Sequence, residues 1–439
     1  MSTRSGCCIA HAPSEPAKHH KGKKNHARRI GLTVGSRRWP GAGRLGSVGG
    51  DTLNFPHAAE GRGPGPDPDD SYSRWVRTAM KAAATAPDAA VLFDSTIREP
   101  TDLLASVVRR AFDGGVTDRY ESVFAEGNPY VVAAVAARHG VSADQVIGAT
   151  GATSAMALVL KALVSPGDNV LIEQPCFDLL TSQARDAGAT ITALPRRAPD
   201  YAVVAADIVK LVRPNTRLVV LTQLHNPSGS ELSRATMVEL AAVSRQTGVP
   251  ILIDEAYADF IDDGVCAARL GPEFISVGSL TKVQGLFALK CGWAVAAPEI
   301  IARVQAATPQ GDYGVSKLTH AVAALVLEDR APFEAHWRAV LAEARPVVEG
   351  HVEAMAADGL IEGVLPKAGC MYFPRVVGVE DTRALAKWLW SEHEVLVAAG
   401  EFFGQGGHVR IGFGGGRAKT LDAGLSRLHA ALKAYRARR

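Results

Sequence analysis

Cysteine is scarce in this chain: six residues in 439, at Cys7, Cys8, Cys176, Cys266, Cys291 and Cys370. None of them forms a Cys-x-x-Cys pair, so neither a zinc ribbon nor a disulfide framework is indicated, and the reading is of reduced thiols in a cytoplasmic setting. Long apolar runs are also missing. The longest stretches hold four to seven residues, against the ~20 needed to cross a bilayer, which excludes a helical membrane span. Arg37-Arg38 has the look of a twin-arginine export signal, but the residues after it are glycine-rich rather than apolar. Net charge is small, at +3, and uneven. Residues 1–50 carry ten Lys/Arg against one acid, +9, which leaves −6 for the other 389. A nucleic-acid surface on the folded part is therefore not expected.

What is there divides into four stretches. Residues 1–88 are basic and rich in Gly and Pro, with little apolar periodicity, and read as a disordered leader. Such a leader could bind something acidic, act as a targeting extension, or reflect an over-long assigned start. Between 130 and 334 short apolar runs alternate with amphipathic stretches: QVIGAT, NVLIEQ, RLVVLT, PILIDEA, FISVGS and GWAVAA. Continuous apolar character marks strands buried on both faces, so the expectation is an α/β domain with a mostly parallel sheet covered by helices. Residues 335–439 mix short strands and helices and are assigned to a smaller α+β domain, which residues 89–129 are expected to join so that both chain ends close the site.

Four features fall where those buried strands end, the edge at which open α/β sheets bind ligands. GATGATSAMALVL runs from a strand through Gly148 and Gly151 into a helix starting near Thr153, whose N–H groups and dipole suit a phosphate; simple helix capping also explains it. HNPSG, 225–229, fixes the backbone at a strand end and presents the amide of Asn226, or is an ordinary turn. In PILIDEAYADF, Asp254 ends an apolar run and Tyr257 follows. A carboxylate buried there needs a positive partner, from a protonated ring nitrogen, a structural ion pair or a helix cap. In FISVGSLTKVQGLFALKCGW, Lys282 stands in mostly apolar company, which should lower its amine pKa and suit it to imine chemistry, although most lysines are solvated surface charges.

Taken in order, Asn226, Asp254, Tyr257 and the Ser-x-x-Lys at 279–282 resemble the class I/II aminotransferases, fold type I enzymes dependent on pyridoxal 5'-phosphate. The resemblance covers roughly residues 90–439. It implies that Lys282 forms a Schiff base with the cofactor and shuttles a proton to and from the substrate Cα. It implies that Asp254 keeps the pyridine nitrogen protonated, and that Asn226 and Tyr257 bond the phenolic oxygen. Ala152, Thr153, Ser279 and Lys290 would hold the phosphate, Phe177 would stack on the ring, and Arg410, in HVRIGFG, would take the substrate carboxylate through paired N–H bonds. The family also implies a homodimer, with Tyr120 reaching the neighbouring subunit's phosphate and lying near the substrate. At position 290 the family usually has arginine; lysine offers a point charge rather than a planar fork.

The function implied is transfer of an amino group between an amino acid and a 2-keto acid. Decarboxylases, β-eliminating lyases and cyclases of the same fold use the same lysine and aspartate. A regulator with a DNA-binding winged helix would need that module in the first 88 residues, which lack its apolar pattern. A catalytically idle scaffold is at odds with the retained lysine, aspartate and arginine.

Overall fold

The computed structural model describes residues 71–120, 127–261, 266–308 and 315–438. The first described element falls inside the stretch expected to be without structure. Tyr72–Thr85 is a helix, α1, with the Ser71 side chain accepting the Arg74 N–H at 3.4 Å at its N-cap. Tyr72, Trp75 and Ala79 recur at i, i+3 and i+7 and are buried; one short apolar stripe amid charged neighbours is enough once a partner surface exists. The rest of the expected leader, 1–70, lies outside the described residues.

The chain then gives strand β1 (Ala90–Val91) and helices α2 (Thr101–Phe112) and α3 (Pro129–His139) before the main sheet begins. In order follow β2 (Val146–Ala149), α4 (Ala152–Leu163), β3 (Asn169–Gln174), α5 (Asp178–Asp186), β4 (Thr190–Pro195), α6 (Ala205–Leu211), β5 (Thr216–Thr222), α7 (Arg234–Thr247), β6 (Ile251–Asp254), β7 (Phe274–Ser279) and β8 (Gly292–Val295). These strands form one seven-stranded sheet in the order β2-β8-β7-β6-β5-β3-β4. All run parallel except β8, which is antiparallel to both its neighbours. The alternation expected of doubly buried strands is explicit in the packing. Val170, Ile172, Leu218 and Val220 enter one core, whereas Leu171, Val219 and Leu221 enter the core on the other face.

Register decides what shares the functional edge. Thr222 pairs with Asp254 and Asp254 with Val277, while Ser279 pairs with Gly292 and Gly292 with Ala149. The C-terminal ends of β2, β5, β6 and β7 and the start of β8 are thereby set side by side.

Beyond the sheet come α8 (Pro298–Ala307), α9 (Lys317–Glu328), the long α10 (Ala331–Ala357), short strands β9 (Ile361–Glu362), β10 (Met371–Tyr372) and β11 (Arg375–Val376), and α11 (Thr382–His393). The chain ends with β12 (Val395–Leu396), β13 (Ala398–Ala399), β14 (Val409–Gly412) and α12 (Ala418–Ala437). β14 lies between β10 and β13, antiparallel to both. Residues 89–129 divide between the two parts. β1 pairs in parallel with β12, but Val107 and Ala111 of α2 share a core with Val131, Val135 and Trp293, beside the main sheet. The apolar i, i+4 pair on α2 explains why that helix leaves the small layer.

Candidate active site

Lys282 follows β7 directly, and its Nζ donates to the Thr96 hydroxyl at 3.2 Å, with the Tyr257 ring centroid 6.0 Å away. Burial by itself lowers the amine pKa. The acidic groups of Tyr257, Asp94 and Tyr72 more than offset it, leaving Lys282 above its ordinary value. The expectation of a depressed lysine pKa is therefore corrected: the surroundings of this amine are polar and acidic as well as apolar. Asp254 ends β6, and its carboxylate accepts the Ala256 N–H at 3.0 Å. Burial pushes its pKa up to about 6, with the Lys282 charge acting in the opposite sense. It forms no ion pair among the described residues, so a partly buried acid faces the site with negative charge to spend. Tyr257 is buried, and its hydroxyl shares a 2.8 Å hydrogen bond with Ser95.

The second part of the site is a helix start. Gly151, at φ 87°, is the N-cap of α4 and supplies no side-chain cap, so the first N–H groups of that helix, at Ala152 and Thr153, are left for another acceptor. Gly151 needs the left-handed region, and the backbone of Gly292 comes so close to it that a Cβ at 292 would collide. Ser279, buried at the end of β7, accepts the Thr281 N–H at 3.4 Å. Lys290 is exposed, at φ 47°, with its ammonium 3.4 Å from the Phe287 ring centroid; burial and then the charge of Lys282 lower its pKa.

The third part is Arg410 on β14, only 1% exposed. Nη1 donates to the Asn226 side-chain oxygen at 2.8 Å, and Nη2 donates to the Phe93 carbonyl at 3.0 Å and to the Tyr72 hydroxyl. The guanidinium carbon lies 4.8 and 4.9 Å from the centroids of the Tyr72 and Phe403 rings, which are themselves in contact at 5.5 Å. Arg410 Nε is buried without a partner among the described residues, an unspent donor on a desolvated cation. Charge on Arg410 also acts to lower the Lys282 amine pKa.

Of the residues anticipated, Asn226 does not stand alone at a strand end but is joined to Arg410. Phe177, half-buried at the N-cap of α5, meets the Tyr72 ring edge-on at 5.8 Å. Tyr120 is 39% exposed, with no hydrogen bond to Lys282, Asp254 or Arg410 among the described residues; its neighbours 121–126 lie outside them. Tyr72, Ser95 and Thr96 were missed. Ser95 and Thr96 had a signal, a polar Asp-Ser-Thr directly after the apolar AVLF run, of the same kind that drew attention to Asp254. Tyr72 had only the Tyr72/Trp75/Ala79 spacing.

The model of the class I and II aminotransferase family matches residues 100–428, and the chain belongs to that family. Capreomycidine synthase of Streptomyces vinaceus is 30% identical over 306 residues, 68% of this chain and 78% of that protein. An arginine–pyruvate transaminase of Pseudomonas aeruginosa is 28% identical over 327 residues, 71% of this chain and 82% of that protein. Among solved structures, the PLP-dependent cyclase OrfR superposes with a TM-score of 0.71 at 25% identity, covering 88% of this chain and all of that one. The fold is fold type I and the cofactor of the family is pyridoxal 5'-phosphate. The residues present fit that group. A helix N-terminus without a side-chain cap meets a phosphate's needs, and a buried carboxylate with no ion pair among the described residues meets those of a protonated ring nitrogen. Lys282 supplies a primary amine beside them.

Proposed function

We propose that this enzyme moves an amino group between an α-amino acid and a 2-keto acid, with Lys282 as the amine to which the cofactor attaches. Pyridoxal 5'-phosphate supplies an aldehyde and an electron-withdrawing ring that acidifies the Cα–H of a bound amino acid. Ala152 and Thr153, through the α4 N-terminus, with Ser279 and Lys290, hold its phosphate. Asp254 would hold a proton on the ring nitrogen, Asn226 and Tyr257 would bond the phenolic oxygen, and Phe177 would pack on the ring. Arg410, with Asn226 locked to it, fixes the substrate carboxylate, so that the Cα proton is delivered to the Lys282 amine. Lys282 then holds and returns that proton. The observation that carries this reading is that strand register sets Asp254 beside the ends of β5 and β7, which lead to Asn226, bonded to Arg410, and to Lys282.

A second reading, cyclisation of an amino acid, is favoured by one similar solved structure, a PLP-dependent cyclase. The two readings separate in one titration. Amino acids are added to the purified enzyme while the cofactor's visible absorbance is followed, beginning with arginine because a relative is named for it; pyruvate or 2-oxoglutarate is added next. Loss of the band with the amino acid and return with the keto acid support transamination. Return of the band without keto acid, with a cyclised product, refutes it. The reading also takes the enzyme to be a cytoplasmic homodimer, Tyr120 serving the neighbouring subunit's phosphate and substrate. A monomer at micromolar concentration in sedimentation would contradict that. No described helix is long and apolar enough to cross a membrane.

A further inference from the structure

We propose that Tyr72 is a substrate-positioning residue that completes the carboxylate subsite: its hydroxyl accepts from Arg410 and donates its own proton to the substrate carboxylate. This rests on the reading that Arg410 receives that carboxylate. A phenol can accept and donate at once. The Tyr72 oxygen accepts from Nη2 of Arg410, and no acceptor for its own proton is found among the described residues. Arg410 is sealed from solvent, and its guanidinium lies against the adjoining Tyr72 and Phe403 rings. An anion reaching this cation therefore passes beside the Tyr72 hydroxyl. Lys282, Tyr257 and Asp94 all act electrostatically on that hydroxyl, and Arg410 links it to Asn226 at the sheet edge.

The helix that carries Tyr72 spans both halves of the molecule. Trp75, one turn on, packs its ring on Phe93 and Phe402 at 4.9 and 5.2 Å, in the small layer. Ser73 donates from its backbone N–H and its hydroxyl to the Asp178 carboxylate of α5, on the main sheet, each at 3.4 Å. Those contacts hold the phenol where it is. They leave its hydroxyl with no structural task except at Arg410, whose Nη2 already has the Phe93 carbonyl. A purely packing side chain at 72 would need the ring and not the oxygen.

The test uses the full-length chain freed of cofactor and two stable probes, N-(5'-phosphopyridoxyl)-L-alanine and its carboxamide, with binding read from quenching of protein fluorescence. Both probes share phosphate and ring; only the first has a carboxylate. In Tyr72→Phe the acid probe should bind about tenfold more weakly and the amide less than twofold, in line with loss of one hydrogen bond to a charged group. Arg410→Leu should weaken the acid probe further and abolish the preference for it. The ratio of the two affinities carries the answer, so packing losses common to both probes cancel. Equal effects of Tyr72→Phe on the two probes, or none, overturn the proposal while Arg410→Leu still discriminates. If Arg410→Leu also leaves the ratio at its wild-type value, the assignment of Arg410 itself is wrong.

Discussion

The two walls of the site are satisfied to very different degrees. On the small-layer wall, Arg410 spends N–H groups on Asn226, Phe93 and Tyr72 and lies against two adjoining rings. On the sheet wall, the Asp254 carboxylate accepts a single N–H among the described residues, and α4 begins with no side-chain cap. A group fixed by several contacts of the fold orients a ligand through the donor it keeps, as Arg410 keeps Nε. A group the fold leaves unsatisfied is where a cofactor's charge is met, and burial without pairing is what raises Asp254 toward neutrality.

That contrast can be broken by substitution at each wall. The largest effect is expected from Arg410→Leu, which removes the cation and strands the Asn226 oxygen. KM for amino acid should rise roughly 100-fold or more, as for loss of one partner of a buried charge pair, measured by steady-state kinetics. Next is Asp254→Asn, expected to lower kcat by on the order of 100-fold, the scale for loss of a preorganised electrostatic group. The same variant sharpens the account in the cofactor-free chain. Asp254 has a folded pKa of about 6 against an ordinary value of 3.8. Its contribution to stability is thus present below about 3.8 and lost as pH rises through 6. The fall of Tm across that window should be shallower in Asp254→Asn, by scanning calorimetry; an unchanged slope would mean that the acid is already paired. The smallest effect is expected from Lys290→Arg. A planar fork in place of a point charge should tighten cofactor binding about fivefold, near 1 kcal/mol, by equilibrium dialysis.

The sheet wall was far more legible in the sequence than the other. Lys282, Asp254, Ser279, Asn226 and the Gly151–Thr153 turn each follow an apolar run, and parallel register brings all such ends to one edge, so chain order alone predicts that they meet. Arg410 stood out as a charge within VRIGF. Its partners could not be anticipated, because Tyr72 and Phe93 lie more than 300 positions away and reach it only through tertiary packing. Tyr72 was hidden further by its surroundings: the basic, glycine-rich composition of the chain before it masks a helix with only three fully buried residues. The expectation for Lys282 failed for a related reason. Neighbours in sequence are apolar, but the groups that raise its pKa, Tyr257, Asp94 and Tyr72, come from elsewhere in the chain.

The central claim is that one particular amine attaches the cofactor opposite Asp254. Borohydride reduction of the enzyme loaded with pyridoxal 5'-phosphate, followed by peptide mass mapping, reads that amine directly. A single phosphopyridoxyl group on the peptide containing Lys282, absent from Lys282→Ala, is the predicted result. The same group on Lys290 or on any other lysine, or a visible band that survives in Lys282→Ala, would contradict it.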